Sequence, residues 1–417
     1  MDAVSTLGEV SRQLCNVTNP PEDDLALQRK TRRFRLQRHA SYLLKDEKRL
    51  ARLRPGATER KEASYRVANC MWALNWEHKG VTLSKTARGV SAQGLQICAS
   101  VWHCPVCAAR IANERRLELL LAVTAAEAMD LKTVFVTYTA RHEAMTVLRE
   151  QLEAMTKAYQ AVWRGAPADR LKARYGIFGI IRSLEATHSK RNGWHPHIHA
   201  IMFVSQDADI DSLRSDLGAR WQVMAAKHGL TMNEHGFDLI DDTKRVAEYL
   251  AKYGHEPRWQ SADELARWHT KIGRSRGQWE HFTPWQLLEF SEAGDKAAGD
   301  LFREYAVTFH GRRQLVWSDG LRAALGLKKE LTDQEAAEKE MDEPELLKVY
   351  LDADQWDIVK GNDARVEAME IVNQGETVEI IQADFLAFFG FCPLITLPTA
   401  PEESDELAGV TDLTDLE

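Results

Sequence analysis

The chain alternates between short β-branched runs and longer stretches of helical periodicity. Thr133-Val134-Phe135-Val136-Thr137-Tyr138-Thr139 is β-branched and aromatic throughout, which predicts a strand. Residues 176–185 predict a second strand and residues 197–204 a third. The turn Lys190-Arg191-Asn192-Gly193 joins them as a hairpin, because Asn-Gly favours the tight backbone that a hairpin needs. Between and beyond the strands, apolar residues recur at helical spacing over 111–129, 142–163, 209–228 and 243–253. In the first of these, Leu117, Leu119, Leu120, Leu121 and Ala125 form the expected apolar side. Residues 29–60 predict a basic amphipathic helix with Leu36, Tyr42, Leu43, Leu44 and Leu50 at helical intervals. Residues 1–28 are polar and irregular. Toward the C-terminus, 333–340 and 344–349 read as helical and 377–381 as strand-like, and Pro401-Glu402-Glu403-Ser404-Asp405-Glu406 is disorder-prone. The pattern implies an α+β protein with a central antiparallel sheet flanked by helices. Four segments follow: a basic helical region (1–62), a cysteine-rich module (63–125), a catalytic body (126–329) and an acidic, partly disordered extension (330–417).

Composition is that of a globular chain: 417 residues, 44% hydrophobic and 28% charged, long enough to bury full cores without staples. The net charge of −8 argues against a nucleic-acid partner only until it is divided. Residues 330–417 hold 24 acidic and 4 basic residues, a balance of −20, so the remainder carries +12. A basic body with an acidic end is the asymmetry of a polyanion binder. The N-terminus lacks a basic region followed by an apolar run, and the longest apolar stretch, 385–397, is interrupted by Gly390 and Pro393. The expectation is a cytoplasmic protein without a membrane partner, whose cysteines serve metal rather than disulfides.

The densest chemistry lies in Trp194-His195-Pro196-His197-Ile198-His199. On a strand, His195, His197 and His199 share one face, because side chains alternate with period two. Two imidazoles at i and i+2 can share a divalent cation when a third ligand comes from a neighbouring strand. Glu185, near the end of the preceding strand, is the expected third ligand and His195 its competitor. A second constellation is Glu248-Tyr249-Leu250-Ala251-Lys252-Tyr253. Its two tyrosines are one helical turn apart, and a tyrosinate can act as a nucleophile. Lys252 and Arg245 are placed to steady phosphate charge. Cys70, Cys98, Cys104 and Cys107, the last two in a CxxC, offer four thiolates for a tetrahedral structural Zn²⁺ site. His103 and His78 are substitutes should Cys70 lie too far away. Cys15 and Cys392 stand apart. No phosphate-binding P-loop or dinucleotide fingerprint is evident around the histidines.

The order of these motifs resembles the HUH endonucleases, and among them the rolling-circle plasmid replication initiators (Rep proteins). The strand 135–139, then Gly193 to His199, then Tyr249 to Tyr253 correspond to the family's three motifs. Arg182-Ser183-Leu184-Glu185-Ala186-Thr187 and the stretch 312–321 extend the likeness to about residues 65–335. The resemblance implies an HUH fold and a nick-and-join reaction on single-stranded DNA at a replication origin, with single-stranded and double-stranded origin DNA as partners. His197 and His199 correspond to the histidines that hold Mg²⁺ or Mn²⁺. Tyr249 corresponds to the tyrosine that becomes linked to the 5′ phosphate and frees a 3′-OH. Some single-tyrosine relatives place a glutamate four residues before the nucleophile, where this chain has Arg245. The terminating step is therefore left to Tyr253, as in two-tyrosine members, or to Glu248 as base. Arg245 and Arg182 are expected DNA contacts, and host helicase and DNA polymerase are expected partners. Two other readings use the same residues: a two-tyrosine transposase, and a zinc-dependent DNA-binding regulator with structural histidines.

Overall fold

The computed structural model of the chain describes residues 22–45, 65–87, 89–141, 143, 146–232, 235–241, 281–339 and 344–398. Ten strands form among them: β1 Gly80–Thr86, β2 Gly89–Gln93, β3 Leu131–Tyr138, β4 Gly179–Ser189, β5 Gly193–Ser205, β6 Phe237–Ile240, β7 His281–Phe282, β8 Leu315–Trp317, β9 Leu347–Asp352 and β10 Leu394–Thr396. Contacts divide the chain into two compact units, Met1–Cys70 with Ile97–Lys339, and Met71–Gln96 with Glu340–Glu417.

The first unit is built on an antiparallel sheet in the order β6-β3-β5-β4-β7, with β8 also paired to β4. Its centre is the β4–β5 hairpin, in register from Gly179↔Phe203 to Ser189↔Gly193. Residues 190–192 make the turn, Gly193 takes φ +73°, and the Asn192 N–H donates to Ser189 Oγ at 3.1 Å. A side chain at Gly193 would be strained in that left-handed conformation. One sheet face carries Phe135, Ile181, Ile201 and Phe203 against Leu119, Ala122 and Ala126 of the helix Pro105–Ala128. The seam of that helix is therefore Ile111, Leu119, Ala122 and Ala126. Leu117, Leu120 and Leu121, expected on its apolar side, are exposed. Four leucines within five residues cannot share one face at 100° per residue. The other sheet face buries Tyr138 edge-on against Tyr159 of the helix Leu148–Val162 and against Trp221 of the helix Ile210–Lys227. Trp221 Nε1 donates to the carbonyls of Thr139 and Gly236, so its one polar atom is satisfied in the core. Truncating a fully buried aromatic such as Phe203 to alanine would cost about 3–5 kcal/mol.

The basic helix spans Glu22–Leu43, starting earlier than its charge pattern suggests, and residues 46–60 of that pattern lie outside the described residues. It buries Phe34, Leu36, Ala40 and Leu43, while Tyr42 points outward. Arg32 pairs with Glu289, Arg35 with Glu292 at 2.8 Å, and Gln37 Nε2 donates to the Val67 carbonyl. Part of its cationic face is thus engaged with the body.

The second unit is a four-stranded antiparallel sheet, β10-β9-β1-β2, with the helices Ala353–Gly361, Arg365–Gln374 and Val378–Phe389. Two sequence expectations are corrected here. Residues 344–349, with their helical pattern, lead into β9, where Leu347, Val349 and Leu351 alternate inward. Residues 377–381, strand-like in sequence, open a helix instead: Thr377 caps it by accepting from the Ile380 N–H, and Ile381, Phe385 and Phe389 form its buried stripe. Arg365 Nη1 donates to the Met71 carbonyl and its guanidinium lies 4.6 Å from the Trp72 ring centroid.

Candidate metal centres

Register brings the first cluster together. β4 and β5 pair Glu185 with His197 and Ser183 with His199, so Glu185 faces the histidines across the hairpin. Glu185 Oε2 lies 3.4 Å from His197 Nε2 and 3.7 Å from His199 Nε2, and the donor atoms of all three lie within 4.8 Å of one another. The far side of each ring is held. His197 Nδ1 donates to the His195 carbonyl at 3.1 Å, and His199 Nδ1 lies 3.1 Å from Thr137 Oγ1 on β3. The carbonyl contact fixes the His197 tautomer with its lone pair on Nε2, the Thr137 hydroxyl steadies the His199 ring, and both Nε2 atoms face Glu185 Oε2. Burial pushes the His199 imidazole down to about 4; Glu185 opposes this and His197 adds to it. The ring is therefore neutral at pH 7, as a ligand must be. Phe135 stacks on it at 5.2 Å. Behind the cluster, burial and the Glu185 carboxylate hold the Tyr305 phenol well above its usual range.

His195 shares the face but not the cluster. Its Nε2 lies 2.6 Å from Thr139 Oγ1. The neighbouring Trp194 donates from Nε1 to Glu304 Oε2 at 2.9 Å, and Glu304 Oε1 accepts from the Leu148 N–H. Thr137 and Thr139, which meet the histidine rings, are site residues that the sequence alone does not single out. The two threonines are within its reach, since the run 133–139 predicts a strand, but only the β3–β5 register shows which side chains they meet. Arg182 sits on β4 an odd number of residues from Glu185, hence on the opposite face.

The second cluster joins Cys70, Cys98, Cys104 and Cys107, all buried. Sγ–Sγ separations are 3.4 Å for Cys70–Cys107, 3.6 Å for Cys98–Cys107 and 3.7 Å for Cys70–Cys104. These approach the edge of about 3.8 Å that ~2.3 Å Zn–S bonds give a tetrahedron. Cys104 caps the helix Pro105–Ala128, with its Sγ accepting from the Cys107 N–H at 3.5 Å. Burial raises the Cys104 thiol well above its ordinary range, while hydrogen bonds from the other thiols hold Cys107 well below it. A set of four soft donors with these spacings fits zinc. His103 is not needed as a substitute: its Nε2 lies 3.0 Å from the Ala306 carbonyl and its ring stacks on His310.

The profile of the family described as "Replication protein" matches residues 91–357, which contain both clusters except Cys70. The chain belongs to this replication protein family. The likeness to rolling-circle initiators read from the motifs is borne out at that level. The protein named "Protein rep" from Streptomyces lividans is 29% identical over 351 residues, covering 68% of this chain and 74% of the relative. The protein named "Neomycin resistance protein" from Streptomyces cyanogenus is 34% identical over 150 residues, 30% of this chain and 34% of that relative. No solved structure matches the chain. Among the described residues, no helix is long and apolar enough to cross a membrane. The tyrosine motif, with Arg245, Glu248, Tyr249, Lys252 and Tyr253, lies outside the described residues.

Proposed function

We propose that the protein initiates plasmid rolling-circle replication by nicking one strand of origin DNA and later rejoining it. The observation that carries this reading is the Glu185–His197–His199 cluster: three hard or borderline donors on a partly exposed sheet face, with the outer ring nitrogens already engaged. Glu185, His197 and His199 would hold Mg²⁺ or Mn²⁺, which when bound supplies Lewis-acid polarisation of the scissile phosphate. In the nicking step the Tyr249 oxygen attacks phosphorus and the bond to the 3′ oxygen breaks. The phenol proton passes to Glu248 or to solvent, and the departing 3′ oxygen gains a proton. The product is a 5′-phosphotyrosine and a 3′-OH that a host polymerase can extend. Reversal by a later 3′-OH, with Tyr253 taking the second strand, rejoins DNA without a nucleotide cofactor, since the phosphotyrosine bond conserves the energy of the broken one. Lys252 and Arg245 would steady phosphate charge, and the cysteine cluster would hold a structural Zn²⁺.

The test is incubation of the purified protein with oligonucleotides tiling both strands of its plasmid's origin, with Mn²⁺, followed by a denaturing gel and mass spectrometry. A covalent adduct on a peptide linked through Tyr249, absent with chelator, is expected. No adduct on any oligonucleotide would overturn the reading, and linkage through Tyr253 alone would reverse the two tyrosine roles.

A further inference from the structure

The sheet face turned away from the histidine cluster holds three arginines from three separate elements. Arg149 lies in the first turn of the helix Leu148–Val162, Arg182 in β4, and Arg312 just beyond the helix Lys296–Phe309. The Arg182 guanidinium stands 6.0 Å from the Tyr159 ring centroid. Arg312 is tethered through Nε to the Thr308 carbonyl at 2.9 Å, which leaves its outer nitrogens available. Its Nη2 reaches Glu153 Oε1 only at 3.8 Å, a long contact to a half-exposed carboxylate, and its own side chain is 27% exposed. Glu153 sits one turn along the helix from Arg149, and the three cations are close enough for Arg312 to act electrostatically on Arg182 and Arg149 on Arg312.

The cluster is poorly compensated. Among the described residues neither Arg149 nor Arg182 makes a hydrogen bond or ion pair, and Glu153 is the one carboxylate that Arg312 reaches. The buried arginines of the same unit, by contrast, are matched. Arg115 pairs with Glu118, Glu330 and Asp333, and Arg303 pairs with Asp300 while donating to the Leu43 carbonyl. Burial pulls Arg182 below the ordinary guanidinium range, with Arg312 adding to the effect. Burial does the same to Arg312, with Glu153 opposing it and Arg149 adding to it. Arg149 also stands at the positive end of its helix, where a cation is disfavoured and an anion favoured. Three partly desolvated like charges held together with one distant carboxylate destabilise a fold unless an anion joins them. Planar guanidinium forks are suited to phosphate oxygens.

We propose that Arg149, Arg182 and Arg312 form a binding site for a backbone phosphate of nucleic acid, on the sheet face opposite the metal centre. The site would grip the strand away from the reacting phosphate. It rests on the reading that this protein acts on DNA. Free phosphate and nucleotides share the chemistry, so the experiment includes them.

Binding of a labelled single-stranded origin oligonucleotide to the full chain is followed by fluorescence anisotropy at several salt concentrations. Arg149→Gln and Arg182→Gln are each expected to weaken binding about 5-fold or more at ~50 mM salt, and to lower the slope of log K against log salt by about 0.7. Arg182→Lys, which keeps the charge, should recover part of the loss. If Arg182→Gln fails to fold, Arg149→Gln alone decides, because the Arg149 side chain makes no hydrogen bond or ion pair among the described residues. Unchanged affinity and slope in Arg149→Gln would overturn the proposal. So would arginine-dependent binding of inorganic phosphate or ATP alongside oligonucleotide binding that ignores the arginines. The covalent-adduct assay separates the two readings. Adduct formation with arginine-independent binding sinks this site alone, and arginine-dependent binding without any adduct sinks the nicking reaction alone.

Discussion

The cysteine and histidine clusters lie in the same unit and differ in every property that decides what a metal can do. Four sulfur donors from Cys70, Cys98, Cys104 and Cys107 close on one another with no position left over, and all four are buried. Glu185, His197 and His199 supply three donors on one sheet face, with the Glu185 side chain 35% exposed. A closed set of thiolates suits a metal that holds chain segments together, whereas an incomplete set leaves coordination positions for water and substrate. Sequence position underlies the contrast. The cysteines come from separate loops and a helix start, so closing their site ties distant backbone together. The ligands of the second site come from one hairpin that strand pairing has already ordered. The first site should therefore matter to folding and the second to reaction.

The largest effect should follow from opening the closed site. Cys104→Ser removes both a ligand and the sulfur that caps the helix Pro105–Ala128. Structural zinc contributes on the order of 10 kcal/mol in small zinc domains, so the variant is expected to lose its metal and its cooperative unfolding transition. Elemental analysis should find about one zinc per wild-type chain, by the four-thiolate stoichiometry. A variant that melts like the wild type would undo the contrast between the two clusters. His197→Ala or His199→Ala should do the reverse, keeping fold and zinc while nicking collapses. Loss of an outer-shell partner alone costs about 10–100-fold, so loss of a ligand should exceed about 100-fold in rate. Oligonucleotide affinity should largely survive, because phosphate contacts by Lys and Arg set it. Full cleavage by either variant would remove the cluster from the reaction.

A smaller change tests whether the open site is oriented from outside. Thr137→Val keeps the volume and strand propensity of the side chain but deletes the partner of His199 Nδ1. Mn²⁺ affinity, measured by electron paramagnetic resonance, should fall about 10-fold with the fold unchanged. Equal affinity would mean that Phe135 stacking and strand pairing alone hold the ring.

How much of this is legible in the sequence depends on the range of the interaction that fixes each element. The β4–β5 hairpin is legible because its signals are local: period-two histidines, an Asn-Gly turn and β-branched neighbours within thirty or so residues. The placing of Glu185 beside His197 follows from that hairpin. The cysteine set is legible from CxxC with Cys98 close upstream, and Cys70 completes it as a fourth buried sulfur. Interleaving of the two units along the chain is not legible. β1 pairs with β9 across more than 260 residues, from Val81↔Leu351 to Lys85↔Leu347, and nothing in the hairpin at 80–93 announces a partner so distant. For the same reason residues 344–396, which composition marks as an acidic extension, contain strands of that second sheet. The helix Val378–Phe389 is hidden because Val378, Ile380 and Ile381 look strand-like in a five-residue window. Its buried stripe at 381, 385 and 389 emerges only over three turns.

The finest test asks whether the open site really stops at three ligands. His195 shares the sheet face with His197 and His199 and is the competing candidate from the sequence. Its Nε2 is instead 2.6 Å from Thr139 Oγ1, and its ring centroid lies 5.3 Å from that of His197. What His195 gives the cluster directly is its backbone carbonyl, which accepts the His197 Nδ1 proton. A side-chain substitution leaves that carbonyl in place. His195→Gln, which retains a polar group able to reach Thr139, is therefore expected to lower nicking by less than about 10-fold, the lower bound for losing an outer-shell partner. Mn²⁺ affinity should change little. If His195→Gln instead loses as much metal and activity as His197→Ala, the second cluster has four protein ligands. An octahedral Mg²⁺ or Mn²⁺ would then keep about two positions, rather than about three, for water and substrate, and the contrast between a closed and an open site would narrow.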